Sequence, residues 1–285
     1  KEAETFNVDS TLYEYYQRCQ EYLLEPVVLN MSDTLFRMAG ERQDERMQAV
    51  AIATQLDYYY FQGTNEDSVI HYTNKVKEFA KATHQPKYYY FAWANRLITY
   101  YLKTSRTNIA LYEVQNMLKE AQEEDDKTGL SRCYNIMSQI YTIKRFDSMA
   151  FEWRLKEIEL TEKYKIENYN ISQTYAQIAN YYINQKKQKE ALAAVEKAIA
   201  TANSSTQQIS AKLEFVNYYS KFGDFQAAEK LLKECQAAFE QDKRLESIKK
   251  RLYNIECLYY QQTKQYPKAL EAAKMQEKEE RRLSE

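Results

Sequence analysis

A tyrosine followed nine residues later by alanine recurs along this chain in a nearly fixed register: Tyr101/Ala110, Tyr141/Ala150, Tyr182/Ala191, Tyr219/Ala228 and Tyr260/Ala269, with Tyr60/Val69 as a weaker earlier member. Successive tyrosines stand 41, 40, 41, 37 and 41 residues apart. A further step of 41 back from Tyr60 reaches Cys19, with Val28 nine later, and Pro26 stands two before Val28 as Pro267 stands two before Ala269. A period of this length marks stacked supersecondary units, none of which can bury its apolar face alone. Seven units follow, at about residues 10–40, 44–83, 87–126, 127–167, 168–204, 207–242 and 243–283, forming one array over 1–285.

The stretch Ile171 to Ser204 shows what a unit is. Tyr175, Ile178, Ala179 and Tyr182 share one stripe of a helix, and Ala191, Val195 and Ala198 share a stripe of a second. The polar run Ile183 to Glu190 between them is long enough for a helix end, a tight turn and a new start. Tyr175-x2-Ile178-Ala179-x2-Tyr182, then Ala191-x3-Val195-x2-Ala198, resembles the tetratricopeptide (TPR) repeat. The small Ala179 and Ala191 let two helices approach at their crossing point, and Tyr182 and Val195 fill the space beside it. The resemblance implies an all-α fold, a right-handed superhelical α-solenoid of about seven TPR-like helix pairs.

Composition agrees with that class. Only 4 Gly and 3 Pro occur in 285 residues, too few for the many turns of an all-β fold. A net charge of -1 supplies no electrostatic footprint for nucleic acid, so no nucleic-acid partner is expected. No run of 18 apolar residues exists to span a membrane, and no secretory h-region is present. Cys19, Cys133, Cys235 and Cys257 lack metal-ligand spacing and read as core thiols, with Cys235 and Cys257 the one pair whose units adjoin.

Local punctuation fits the units. Asp9 or Ser10 caps the first helix, Gly40 is expected as the left-handed residue ending the second, and Asn65 caps a helix opening with Glu66 and Asp67. Residues before Asp9 are expected to fray. Turns are expected near His84-Gln85-Pro86 and Arg145-Phe146-Asp147, with a left-handed Gly223 before Asp224 and Pro267 at the start of the last helix.

The parts needed for catalysis are scarce. There are two histidines, no glycine-rich phosphate loop, no GxSxG and no HExxH, so the chain reads as non-enzymatic, with no cofactor and no metal. His71 falls in a helix and His84 in a connection. The acidic run Glu123 to Asp126 reads as a solvated face, and the tyrosine triplets 58–60 and 88–90 as packing, since three consecutive helical residues must cover three faces.

In the TPR family the first helix of each unit lines the concave face, and ligand contacts gather at its fifth and ninth positions. Carried over by the tyrosine register, these imply Tyr58, Asn95, Thr99, Asn135, Gln139, Asn180, Asn217 and Asn254 as the residues facing a protein or peptide ligand in the concave groove. Every unit from the third to the seventh places an asparagine there. An amide offers donors and an acceptor, which suits holding an extended peptide backbone whatever its side chains. No basic residue is expected on this stripe, unlike in the carboxylate-clamp members of the family, so recognition of an acidic C-terminus is not expected.

Units near 40 residues, tyrosine-rich first helices and a charged final helix also resemble the N-terminal sensor regions of bacterial membrane-anchored signalling proteins of the histidine-kinase or helix-turn-helix-regulator type. That resemblance implies a signal-transduction role on the periplasmic side of an inner membrane. The alternative is a stand-alone cytoplasmic scaffold or co-chaperone. The chain opens on Lys1 and closes within the charged pattern of Lys274 to Glu285 without a C-cap, which reads as a fragment tethered through a segment beyond Glu285 and making no membrane contact itself.

Overall fold

A computed structural model of the chain describes residues 7–284. The frayed start expected before Asp9 falls largely outside the described residues. Fourteen helices packed in adjacent pairs make up the described residues, and no strand occurs among them. The chain divides into two compact units, 1–140 and 141–285.

The first unit opens with α1 (Ser10–Glu21) and α2 (Val27–Glu41), then α3 (Glu45–Gln62) and α4 (Glu66–Ala82). The helix α5 is built of three segments, Pro86–Tyr90, a π-helical Phe91–Ile98 and Thr99–Lys103, and pairs with α6 (Thr107–Glu123). The widened turn leaves Thr99 Oγ1 donating to the Ala94 carbonyl at 2.9 Å, five residues back instead of four. The helix α7 (Lys127–Ile143) runs across the division.

The second unit holds α8 (Asp147–Tyr164), the pair α9 (Ile171–Asn184) and α10 (Gln188–Ala200), and the pair α11 (Ser205–Lys221) and α12 (Phe225–Gln241). A 3-10 turn, Lys243–Ile248, leads into α13 (Lys249–Gln262), which pairs with α14 (Tyr266–Ser284). Asp9, Asn65, Asp224 and Ser204 cap their helices through side-chain oxygens, as such residues do when the first amides lack partners.

The register residues of the second helices carry the core. Val28, Val69, Ala110, Ala150, Ala191 and Ala228 are fully buried, and Ala269 is 4% exposed. In the second unit Ile178, Ala179, Ile183, Val195 and Tyr218 form one cluster, while Leu213, Leu232, Cys235, Leu252 and Ile255 form another. Each valine, leucine or isoleucine among them contributes about 1.5–3 kcal/mol when fully buried. Phe151 stacks on Tyr181 at 4.0 Å between ring centroids, and Phe215 on Tyr219 at 4.5 Å.

Helix ends are closed by left-handed residues at Gln43, Gly63, His84, Ser105, Asp125, Arg145, Lys165, Lys186, Gly223 and Lys264. Only two of these are glycine, which is how the chain makes so many tight turns with so little of it. Gly40 is not among them. It lies inside α2, where an added Cβ would stand 2.8 Å from Gln48 Nε2, so its role is close approach rather than a helix stop.

The acidic run also departs in one residue from a solvated face. Glu123, Glu124 and Asp125 are exposed, but Asp126 caps α7, accepting from the Gly129 amide at 3.0 Å and from the Tyr90 hydroxyl. Gly129 admits the Tyr90 ring against the start of α7, where a Cβ would overlap it. The tyrosine triplets pack as expected, with Tyr58, Tyr60 and Tyr90 buried and the hydroxyl of Tyr89 donating to Glu120.

Candidate functional site

In the second unit, α9, α11 and α13 are successive first helices, each packed on the next. The tyrosine register places Asn180, Asn217 and Asn254 on equivalent stripes of the three, and the structure joins them through one carboxylate. Glu214, one turn before Asn217 on α11, is only 2% exposed. Its Oε1 accepts from Asn180 Nδ2 and from Asn217 Nδ2, each at 3.1 Å. Its Oε2 accepts from Arg251 Nη2, and Arg251 Nη1 donates to Asn254 Oδ1 at 2.7 Å. Three asparagines from three repeats thus meet on an ion pair whose carboxylate is buried.

Beside this network lies a cleft of about 670 Å³, lined by residues of α9, α11 and α13 together with Thr142, α8, the 3-10 turn before α13 and two residues of α14. Ala176, Gln177, Asn180 and Asn184 of α9 contribute amides and a small methyl, and Gln276 and Leu283 of α14 close one side. Asn184 donates to Asn180 Oδ1 at 3.2 Å, so the Asn180 amide is oriented from both ends. Asn254 lines the cleft, whereas Asn217 is 8% exposed and sits beneath Glu214 rather than in the wall.

Three cations line the cleft. Arg251 is paired with Glu214, and Lys250 Nζ lies 3.2 Å from Glu280 Oε1. Arg154, which reaches the cleft from α8, donates through Nε to Gln177 Oε1 at 3.0 Å and through Nη2 to Thr142 Oγ1 at 2.7 Å. Burial pulls its pKa down from the usual guanidinium range, with the Glu157 and Asp147 carboxylates opposing. A lined surface of oriented amides, neutral hydroxyls and anchored charges can hold an extended chain by its backbone and read its charged groups.

In the first unit the register residues are placed differently. Asn95, exposed on the π-helical segment of α5, accepts from Arg132 Nη1. Thr99 has its hydroxyl spent on the Ala94 carbonyl. On α7, Gln139 Nε2 donates to Asn135 Oδ1 at 2.6 Å. Tyr58 is 6% exposed and belongs to the core with Leu35, Met47 and Ala51, so it presents no face to a groove.

Glu214, Arg251 and Arg154 escaped the sequence reading. The first two had a signal: each stands three residues before an asparagine of the register, Glu214 before Asn217 and Arg251 before Asn254, as Arg132 stands before Asn135. A side chain one turn away shares the same stripe, so the lack of basic residues at the register positions did not mean a stripe without cations. Arg154 lies on a second helix, outside any first-helix register, and had none. Among the described residues no cluster of His, Cys, Asp or Glu is able to hold a metal, and no helix is long and apolar enough to cross a membrane.

No protein-family model and no curated protein matches the chain. Solved structures do. The apo form of RapI superposes with a TM-score of 0.63 at 14% identity, covering 96% of this chain and 98% of that one. BtubC (BKLC) from P. vanneervenii gives 0.58 at 14% identity over 81% of this chain and 93% of that one. A Rap protein complexed with competence and sporulation factor gives 0.55 at 12% identity over 94% and 76%. At identities this low the likeness is one of fold, and the fold is that of TPR-like helical-repeat proteins such as Rap.

Proposed function

We propose that this chain is a non-enzymatic binding module that holds a protein segment or peptide in extended form within the cleft of its second unit. The observation that carries this reading is the network in which Asn180, Asn217 and Asn254, from three successive repeats, are fixed by Glu214 and Arg251 beside an open, amide-lined cleft. Rigid amides at the spacing of the repeats are what a backbone ligand needs, because little side-chain entropy is then lost on binding. A fold neighbour solved with a bound factor supports the same use of this architecture.

A displayed library of random 12-residue peptides selected on the whole chain tests the reading. Peptides recovered on the wild type should lose at least tenfold in affinity to a chain carrying Asn180→Ala with Asn254→Ala. Binding indifferent to both asparagines overturns the placement of the ligand in this cleft.

The wider setting we propose is the sensory region of a bacterial signal-transduction protein, on the periplasmic side of the inner membrane. Its support is the architecture: units near 40 residues, tyrosine-rich first helices and a charged last helix. An alkaline-phosphatase fusion to the natural gene product should be active; an inactive phosphatase with a fluorescent cytoplasmic fusion overturns it.

A further inference from the structure

A second cavity, of about 390 Å³, lies in the first unit, walled by α2, α3 and α4. The polar side chains set deepest in it have no donor left to offer. Gln55 of α3 is 5% exposed, and its amide protons are both engaged, one by the Leu29 carbonyl at 3.2 Å and one by Asp33 Oδ1 at 2.8 Å. Those two bonds fix the amide plane and leave Oε1 open to the cavity, with no hydrogen bond from the protein. Ser32, 1% exposed, gives its proton to the Val28 carbonyl at 2.7 Å and keeps only lone pairs. Asp33 has Oδ2 without a protein donor. Around these acceptors the wall is apolar: Ile52 is 5% exposed, and Phe36 meets Phe79 edge to face at 5.7 Å between centroids. Lys75 and Glu78, both exposed, complete the lining; neither forms an ion pair, and Lys75 Nζ stands over the Tyr72 ring at 5.6 Å. The clamp from Gln55 to α2 accounts for its amide protons, and nothing in the fold accounts for its oxygen.

We infer that this cavity is a binding site for a small organic cation, an ammonium group on a short apolar body of the arylalkylamine kind. The ammonium donates to Gln55 Oε1 and Asp33 Oδ2, and the body packs on Phe36, Ile52 and Phe79. An ammonium has three donors and no acceptor, which suits a floor made of acceptors. Asp33 and Glu78 against Lys75 leave the lining with one net negative charge, which a monocation answers. A carboxylate or phosphate would set its own lone pairs against those of Gln55, Ser32 and Asp33. The volume lies within the range of about 300–1,000 Å³ typical of small-ligand pockets. The site belongs to the first unit and does not rest on the reading given to the cleft of the second.

Calorimetric titration of the whole chain with phenethylammonium chloride tests it, beside three probes carrying the same ring: neutral 2-phenylethanol, anionic 3-phenylpropionate and zwitterionic phenylalanine. Phenethylammonium should bind saturably at one site, about tenfold or more tighter than the alcohol, and 3-phenylpropionate should not bind. Equal affinity for the alcohol overturns the cation assignment. Tighter binding of phenylalanine than of phenethylammonium overturns the monocation in favour of a zwitterion that also reaches Lys75. No binding by any of the four overturns the site. Asp33→Asn locates the ligand. It keeps an oxygen for Gln55, puts a donor where the ligand needs an acceptor, and sits at an exposed position that leaves the fold intact. It should weaken phenethylammonium by about tenfold or more, and undiminished binding overturns the site. Gln55→Met keeps the volume and removes the orphan oxygen, so it should weaken binding too; unchanged affinity in a variant that melts like wild type overturns the role of Gln55. Where that variant loses its cooperative melt, the Asp33→Asn result decides.

Discussion

Asn180 and Asn217 donate to the same oxygen of Glu214, each at 3.1 Å, although they stand on different repeats. The side chain that receives them is itself nearly inaccessible to water and is neutralised by Arg251, about a third of whose side chain stays exposed. The asymmetry of that pair governs what its removal does.

Arg251→Met leaves a buried carboxylate with no counter-charge and should cost about 3 kcal/mol. Glu214→Gln leaves a partly exposed guanidinium that water can reach, and keeps an oxygen for the two asparagines, so about 1 kcal/mol is expected. Urea unfolding followed by circular dichroism measures both. Equal costs would mean that the buried member does not dominate the pair.

Gly129→Ala separates packing from helix propensity. Propensity alone favours alanine in a helix by about 1 kcal/mol. The added Cβ meets the Tyr90 ring, however, and overpacking of this kind costs about 1–3 kcal/mol, so the variant should be less stable. Tyr90→Leu in the same chain should remove most of the difference that Gly129→Ala makes, as read by thermal melting.

The left-handed turn residues give a pair of opposite signs. Gly223 has φ +87 with open space around the missing side chain, so Gly223→Ala should cost about 1 kcal/mol through the backbone alone. Lys186 holds φ 59 as a lysine. Lys186→Gly relieves roughly that cost while adding freedom to the unfolded chain, and the net should fall between no change and about 1 kcal/mol of stabilisation. Chemical denaturation of both variants is the check.

Thiol reactivity follows burial. Burial pushes Cys19 up to about 11 and Cys133 and Cys235 up to about 12, whereas Cys257 is half-buried. A disulfide-exchange reagent at pH 8 should modify Cys257 first, and the other three only at the rate of unfolding. Because the folded pKa values lie above the unfolded value near 8.5, the thiols favour the folded chain below that pH, and this contribution is lost as pH rises through about 11 to 12. Melting temperature should therefore fall between pH 9 and 12, and replacing Cys133 and Cys235 by alanine should flatten part of that fall.

The sequence by itself determined the repeat. Alanine or valine nine residues after each register position is buried because only a small side chain fits where two helices cross, and that requirement is local enough to be written in spacing. Caps at Asp9 and Asn65 were legible for the same reason, each being an interaction within one helical turn. The asparagine stripe was legible as a pattern, but its chemistry was not. Whether Asn217 faces solvent or lies under Glu214, whether Tyr58 reaches a groove or the core, and whether Arg251 answers Glu214 all depend on how neighbouring repeats are rotated against each other. Gly40 was misread because a glycine near a helix end can serve either a left-handed turn or a close approach, and only the position of Gln48 decides which. Arg154 shows the limit most plainly. Its hydrogen-bond partners Thr142 and Gln177 stand on two other helices, and a single chain of letters carries no record of which groups fold to within reach of one another.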